Sequence, residues 1–187
     1  MDILLFGIQG SGKGTQARKL AAERGYRIFE AGAELRRIAA SDTDLGRSVK
    51  ATIDAGHHVS QEIIMEVVER FLSALPPDAA VLFDGIPRNL GQQEAFDALM
   101  ARLSRTFRCL ELRVDEEAAI KRILGRAALE GRNDDANEES IRRRIGLFHE
   151  KTQPVIDIYR ARDMVVDIDG DGTVGDVYGR LQQALDA

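Results

Sequence analysis

Four glycines, a lysine and a threonine fall within nine residues near the start of the chain: Gly7-Ile8-Gln9-Gly10-Ser11-Gly12-Lys13-Gly14-Thr15. The segment follows the apolar run Ile3-Leu4-Leu5-Phe6 and opens a helical pattern, and it fits G-x-x-x-x-G-K. Glycines let backbone N–H groups curl inward around phosphate oxygens. A helix N-terminus adds its positive end, and lysine adds a point charge. The implied chemistry is the binding of a nucleoside triphosphate. The hydroxyl that commonly follows the lysine comes one residue later, at Thr15, because Gly14 takes its place.

Arginine is the other chemically informative residue. The chain has 26 basic residues, of which 21 are arginine and 5 lysine. Arginine grips phosphate through two parallel donors. Arg122 and Arg126 are four apart and share one helix face, opposite the stripe Ile120, Ile123 and Leu124. That face meets either water or a cleft. In Arg142-Arg143-Arg144 the neighbouring stripe is Ile141, Ile145, Phe148, Val155, Ile156 and Tyr159. At about 100° per residue Arg144 flanks that stripe most closely, so it is the one expected in a defined place. His57, His58 and His149 form no ligand or nucleophile set and read as surface residues. Asp84 follows a strong strand pattern and, taken alone, reads as a strand-end cap.

These residues must be positioned by alternating strands and helices. Strand patterns occur at 3–6, 26–29, 79–83, 107–114 and 164–168. Helical patterns cover about 13–24, 32–40, 43–55, 60–74, 91–103, 115–125, 138–161 and 173–186. The alternation predicts an α/β fold: a five-stranded parallel sheet with helices on both faces. Two segments depart from the simple alternation and predict two small mobile lobes at the ligand-binding end of the sheet. The expected division is a core of 1–29, 60–125 and 137–187, a lobe of 30–59 and a short lid of 126–136.

With 187 residues, 44% of them hydrophobic, the chain can bury a substantial core. A net charge of −5 argues against non-specific binding to nucleic acid or anionic membranes. Cys109 is the single cysteine, which excludes an internal disulfide and a cysteine-based zinc cluster. No secretory signal or membrane-length apolar run is present, so a soluble, cytoplasmic protein is expected.

The pattern G-x-G-K-G-T followed by Gln16 resembles the adenylate kinase family of nucleoside monophosphate kinases, whose core is a P-loop fold. Ala31-Gly32-Ala33-Glu34-Leu35-Arg36 is similar to that family's G-D-x-L-R segment. Asp54-Ala55-Gly56-His57-His58-Val59 is similar to its D-x-G-x-x-V turn, and Asp84-Gly85-Ile86-Pro87-Arg88 to its D-G-F-P-R. Gln92, Arg122 with Arg126, Gly131-Arg132, Arg144 and Thr152-Gln153-Pro154 also agree. The resemblance implies transfer of a phosphoryl group from ATP to AMP, giving two ADP. The acceptor is an anionic oxygen, so alignment and charge neutralisation suffice and no strong base is needed.

Carried across, the resemblance places Gly10, Ser11, Gly12, Lys13, Gly14 and Thr15 at the donor phosphates and Gly172 at the donor adenine. Arg126, Arg132 and Arg144 would hold the transferring group. Ala31, Gly32, Arg36, His57, Val59, Gly85, Arg88 and Gln92 would surround AMP, joined by Arg132 and Arg144, with Arg122 near the acceptor phosphate. Lys13 and Arg88 would share in catalysis. Asp84 would hold Mg²⁺ through water. No zinc is implied, because only five residues separate Arg126 from Arg132. Small nucleotides are the expected partners of a monomer.

The sequence departs from the family at Gln9, Ala31, Ala33 and Ile86. Ala31 and Asn89 resemble UMP/CMP kinases, whereas Gln92 resembles adenylate kinases. Ala33 stands where the family usually has an aspartate. Two alternatives therefore stay open: a UMP/CMP kinase of the same fold, and a nucleotide-binding relative with weak turnover.

Overall fold

A computed structural model describes residues 1–54, 59–130 and 137–186, apart from the side chains of 54 and 126–130. Five strands, β1 (Asp2–Phe6), β2 (Arg27–Glu30), β3 (Val81–Asp84), β4 (Phe107–Arg113) and β5 (Val165–Asp169), form one parallel sheet. Their order is β2-β3-β1-β4-β5, so β1 lies in the centre. The helices are α1 (Lys13–Arg24), α2 (Ala31–Ala39), α3 (Asp44–Asp54), α4 (Gln61–Ser73), α5 (Leu90–Arg102), α6 (Glu116–Glu130), α7 (Glu138–Leu147), α8 (Gln153–Ala161) and α9 (Val174–Asp186).

The alternation of side chains along each strand divides the core into two layers. Leu4, Phe6, Phe29, Phe83 and Cys109 point to one face and pack with α4, α5 and α8. Ile3, Leu5, Leu82, Leu110 and Ile168 point to the other and pack with α1 and α9. Both faces of the central strands are covered, which is why their sequences are continuously apolar. The Cys109 thiol belongs to the first layer, and burial pushes its pKa well up, consistent with an inert core residue.

A smaller cluster joins the glycine loop to two later helices. Ile8 packs with Ala119, Ile120 and Ile123 of α6 and with Ile141 and Ile145 of α7. The loop is thus fixed from the side as well as by its own strand.

Two elements differ from the sequence pattern by more than a residue or two at an end. α6 continues to Glu130, beyond the expected end near 125, because Ala127-Ala128-Leu129-Glu130 are all strong helix formers. The pattern over 138–161 divides into α7, a π-helical turn over Phe148–Thr152, and α8. Periodicity alone does not reveal one wide turn within a continuous stripe.

At the amino-terminal end of the sheet, Asp2 is 1% exposed and ties three segments together. Its carboxylate accepts from Val81 N–H at 2.8 Å and from Arg105 Nε and Nη2, each at 2.7 Å. Arg105 also donates to Ala79 O at 2.6 Å. Removing one member leaves a desolvated partner behind. Asp2→Ala should cost about 2–3 kcal/mol, below the range for a fully buried pair because Arg105 keeps some contact with water. A urea midpoint equal to that of the wild type would contradict this role.

Candidate active site

β1 delivers the chain into the glycine loop at its carboxyl end, where three positive φ angles, at Gly7 (141°), Gly10 (83°) and Gly12 (97°), turn it back into α1. Two of these positions also need the absence of a side chain. A Cβ at Gly7 would lie 2.6 Å from Leu112 O, and one at Gly10 would lie 2.6 Å from Ala119 O. β4 and α6 therefore close tightly around the loop.

The N-terminus of α1 has no side-chain cap, because Gly12 occupies the cap position, and its first turn contains no acidic residue. The leading N–H groups and the positive end of the helix are thereby kept for an external anion. Lys13 Nζ donates to Gly7 O at 2.7 Å and Ile8 O at 3.0 Å, which holds the ammonium at the loop. Ser11 is 2% exposed, and its Oγ has no protein partner. An arrangement of helix end, lysine and glycine backbone is one that phosphate oxygens can complete.

Opposite the loop, β3 ends at Asp84, which is in register with Leu5 of β1 and Glu30 of β2. The next residues turn through Gly85 (φ 83°) and a cis Ile86–Pro87 bond to Arg88. Arg88 is fixed at three points. Its N–H donates to Gln92 Oε1 at 2.8 Å, its Nε to Gly85 O at 2.7 Å, and its carbonyl accepts from Thr152 Oγ1 at 3.0 Å. Its side chain is exposed. Partial displacement of water by the protein around it lowers its pKa from the ordinary value; Asp84 opposes the shift, while the charges of Arg144 and Arg36 add to it. Cations from α2, from α7 and from the turn after β3 thus bear on the same space.

Around that space the small residues also converge. Ala31, which starts α2, is 3% exposed, and its Cβ would be 3.6 Å from a Cβ at Gly85. A Cβ at Gly32 would lie 3.2 Å from Arg36 Nη1. Val59 is buried just before α4. Gln92 is 4% exposed, and its own N–H is held by Asn89 Oδ1, the α5 cap, at 2.9 Å.

The loop before α9 lies against α1. Gly172 adopts φ 115°, and Asp176 accepts from Thr173 N–H at 3.0 Å and from Thr173 Oγ1 at 2.7 Å. Gln16 Nε2 donates to Val174 O at 3.1 Å and so ties this loop to α1, directly behind Lys13 and Thr15. Arg122 Nη2 lies 3.4 Å from Asp171 Oδ1 on this loop, and Asp171 supplies its counter-charge.

Of the remaining expected site residues, His57, Arg132 and the side chain of Arg126 lie outside the described residues. His149 pairs with Glu116 on the surface, and Arg142 pairs with Glu117 and Glu138, which takes both out of the site. The Arg122–Asp171 pair is not visible in the sequence, because it depends on the fold bringing residues 49 apart into contact. Thr152 stands in a run the sequence singles out, but the partner of its hydroxyl, Arg88 O, is not visible there.

Comparison with known proteins agrees with this geometry. The family model described as adenylate kinase matches residues 5–164. The chain belongs to the adenylate kinase family. An adenylate kinase of Thermus thermophilus is 40% identical over 184 residues, covering 98% of this chain and 96% of that protein. Those of Maricaulis maris and Stenotrophomonas maltophilia are 37% and 36% identical, each covering at least 99% of both chains.

The Lys13 ammonium is held at the glycine loop, where a phosphate would meet it. Lys13→Ala should lower turnover by roughly 100- to 1,000-fold, equivalent to ~3–4 kcal/mol of lost preorganised electrostatics, with an unchanged circular dichroism spectrum. Near-wild-type turnover in a folded variant would remove Lys13 from the site.

Proposed function

We propose that the protein catalyses reversible phosphoryl transfer from ATP to AMP, giving two ADP. The observation that carries this reading is the facing pair of half-sites: an uncapped α1 N-terminus with Lys13 on one side, and Arg88 in the field of Arg36 and Arg144 on the other. An oxygen of the AMP phosphate attacks the γ-phosphorus, and the bond from that phosphorus to the β–γ bridging oxygen breaks. The electron pair leaves with ADP. The attacking oxygen is already anionic, so no general base is required.

Arg36 and Arg88 are suited to orient the acceptor phosphate. Arg144, with Arg126 and Arg132, is suited to the charge that spreads over the equatorial oxygens during transfer. The glycine loop and Lys13 hold the donor phosphates in line. Residues 30–59 and 126–136 would act as lobes that close over the two nucleotides and expel water.

Mg²⁺, when bound with ATP, would supply further charge neutralisation. Among the described residues no group of three or more His, Cys, Asp or Glu side chains is gathered for a metal ion. Asp84, beside the loop at the end of β3, fits a partner acting through water, as a cation that keeps its hydration shell requires. Ala33 leaves this arrangement with one carboxylate fewer than the family pattern. Ala33→Asp should therefore shift the Mg²⁺ titration of activity to lower concentration, and coincident titration curves would exclude position 33 from the metal's water shell.

Acceptor choice is supported by Gln92. Ala31 has no hydroxyl to offer a base, and Gln92 Oε1 is taken by the Arg88 N–H, leaving the Nε2 donor. The N1 atom of adenine and the N3 atom of cytosine accept such a bond. The corresponding positions of guanine and uracil carry hydrogen and would leave two donors opposed. Purine size then favours AMP over CMP. A coupled assay with ATP and each monophosphate should rank AMP first, CMP second, and GMP and UMP at least roughly 100-fold lower in kcat/KM. UMP used as well as AMP would overturn the assignment.

A further inference from the structure

Thr152 lies at the last position of the π-helical turn, directly before α8, and is 7% exposed. A threonine in a helix ordinarily turns its hydroxyl back to the carbonyl four residues earlier, here Phe148 O, or caps the helix that follows. Neither occurs. Phe148 O accepts the π-type bond from Gln153 N–H, and Thr152 makes no cap bond to α8. Its Oγ1 donates instead across 64 residues of sequence to Arg88 O at 3.0 Å.

We infer that Thr152 is a positioning residue for Arg88, and that the π turn exists in this helix to aim it. The inference rests on the kinase reading for its kinetic consequence. Arg88 is pressed by two other cations, Arg36 and Arg144, and an arginine in that situation is driven outward to water. Asp84 opposes this through its charge, but charge attraction sets no direction. Direction comes from short bonds: Nε to Gly85 O on the side chain, with Gln92 on the N–H side and Thr152 on the carbonyl side of the backbone. With the two backbone bonds in place the peptide planes on each side of the Arg88 Cα cannot rotate, and the side chain leaves from a fixed stem.

The position of Thr152 along the chain adds a second effect. Arg144 is eight residues earlier in the same continuous helical run, about 12 Å along the axis at 1.5 Å per residue. One helical run therefore carries an arginine for the transferring group and also holds the stem of an arginine for the acceptor phosphate. The relative placement of the two cations is set through protein bonds before nucleotide arrives.

The test compares Thr152→Val, which removes the hydroxyl at nearly constant shape, with Thr152→Ser, which keeps it. The Val variant should show an AMP KM about 3- to 10-fold higher, the range one net hydrogen bond can supply, with the ATP KM within twofold of wild type. Amide exchange at Arg88, measured without nucleotide, should be faster in the Val variant. The Ser variant should return both values towards wild type. An unchanged AMP KM in the Val variant would overturn the inference, as would a defect shared equally by ATP and AMP that Ser does not restore. If the wild-type protein failed to phosphorylate AMP, the kinase reading would fall by itself. Arg88 exchange would then still decide the clamp, with an unchanged rate in Thr152→Val as the overturning result.

Discussion

Cations that must meet phosphates repel one another before the phosphates arrive. Two unit charges about 6 Å apart in an effective dielectric of about 20 repel by about 3 kcal/mol. Arg88, Arg36 and Arg144 act on the same space, and the lowered Arg88 pKa records that crowding together with the partial displacement of water. Much of the fold can be understood as the means of holding these charges at one end of a sheet. β1 and β3 end side by side, so the glycine loop and the Asp84–Arg88 turn emerge together. α6 and α7 are drawn against the loop by Ile8, Ile123, Ile141 and Ile145, and this brings Arg144 into range.

Arginines elsewhere in the chain serve different ends. Arg105 closes the opposite end of the sheet over buried Asp2. Arg160 binds Glu111 at 2.5 Å and Asp167 at 2.7 Å, joining α8 to β4 and β5. Arg24 and Asp186 link the ends of α1 and α9. Each of these is matched with a carboxylate. Around Arg88 the charges of Asp84, Arg144 and Arg36 act together, and clustered arginines favour a ligand with several negative charges.

Much of this is legible in the residues. Continuous apolar strands, glycines at the strand–helix turn and the Asp84-Gly85-Ile86-Pro87-Arg88 run identify the sheet, the loop and the acceptor turn. Helix periodicity singles out Arg144; in the structure Arg142, Arg143 and Arg144 are all exposed, and Arg142 is the one paired with Glu117 and Glu138. Tertiary partners are less accessible. The sequence does not show that Asp171 meets Arg122, that Gln92 spends its oxygen on a backbone N–H, or that Thr152 reaches Arg88, because each contact depends on how distant segments are packed. The end of α6 escapes the pattern for a local reason: alanines carry helix propensity but no periodic signal.

In the reading proposed above, donor and acceptor half-sites form one continuous polyanion site. Calorimetric titration with two adenosines joined through a five-phosphate chain tests this most directly. We expect one molecule bound per chain, with affinity at least roughly 100-fold tighter than that of ATP or AMP alone, because joining the two ligands removes the second association cost. Two molecules bound per chain, or one bound no more tightly than ATP, would contradict it.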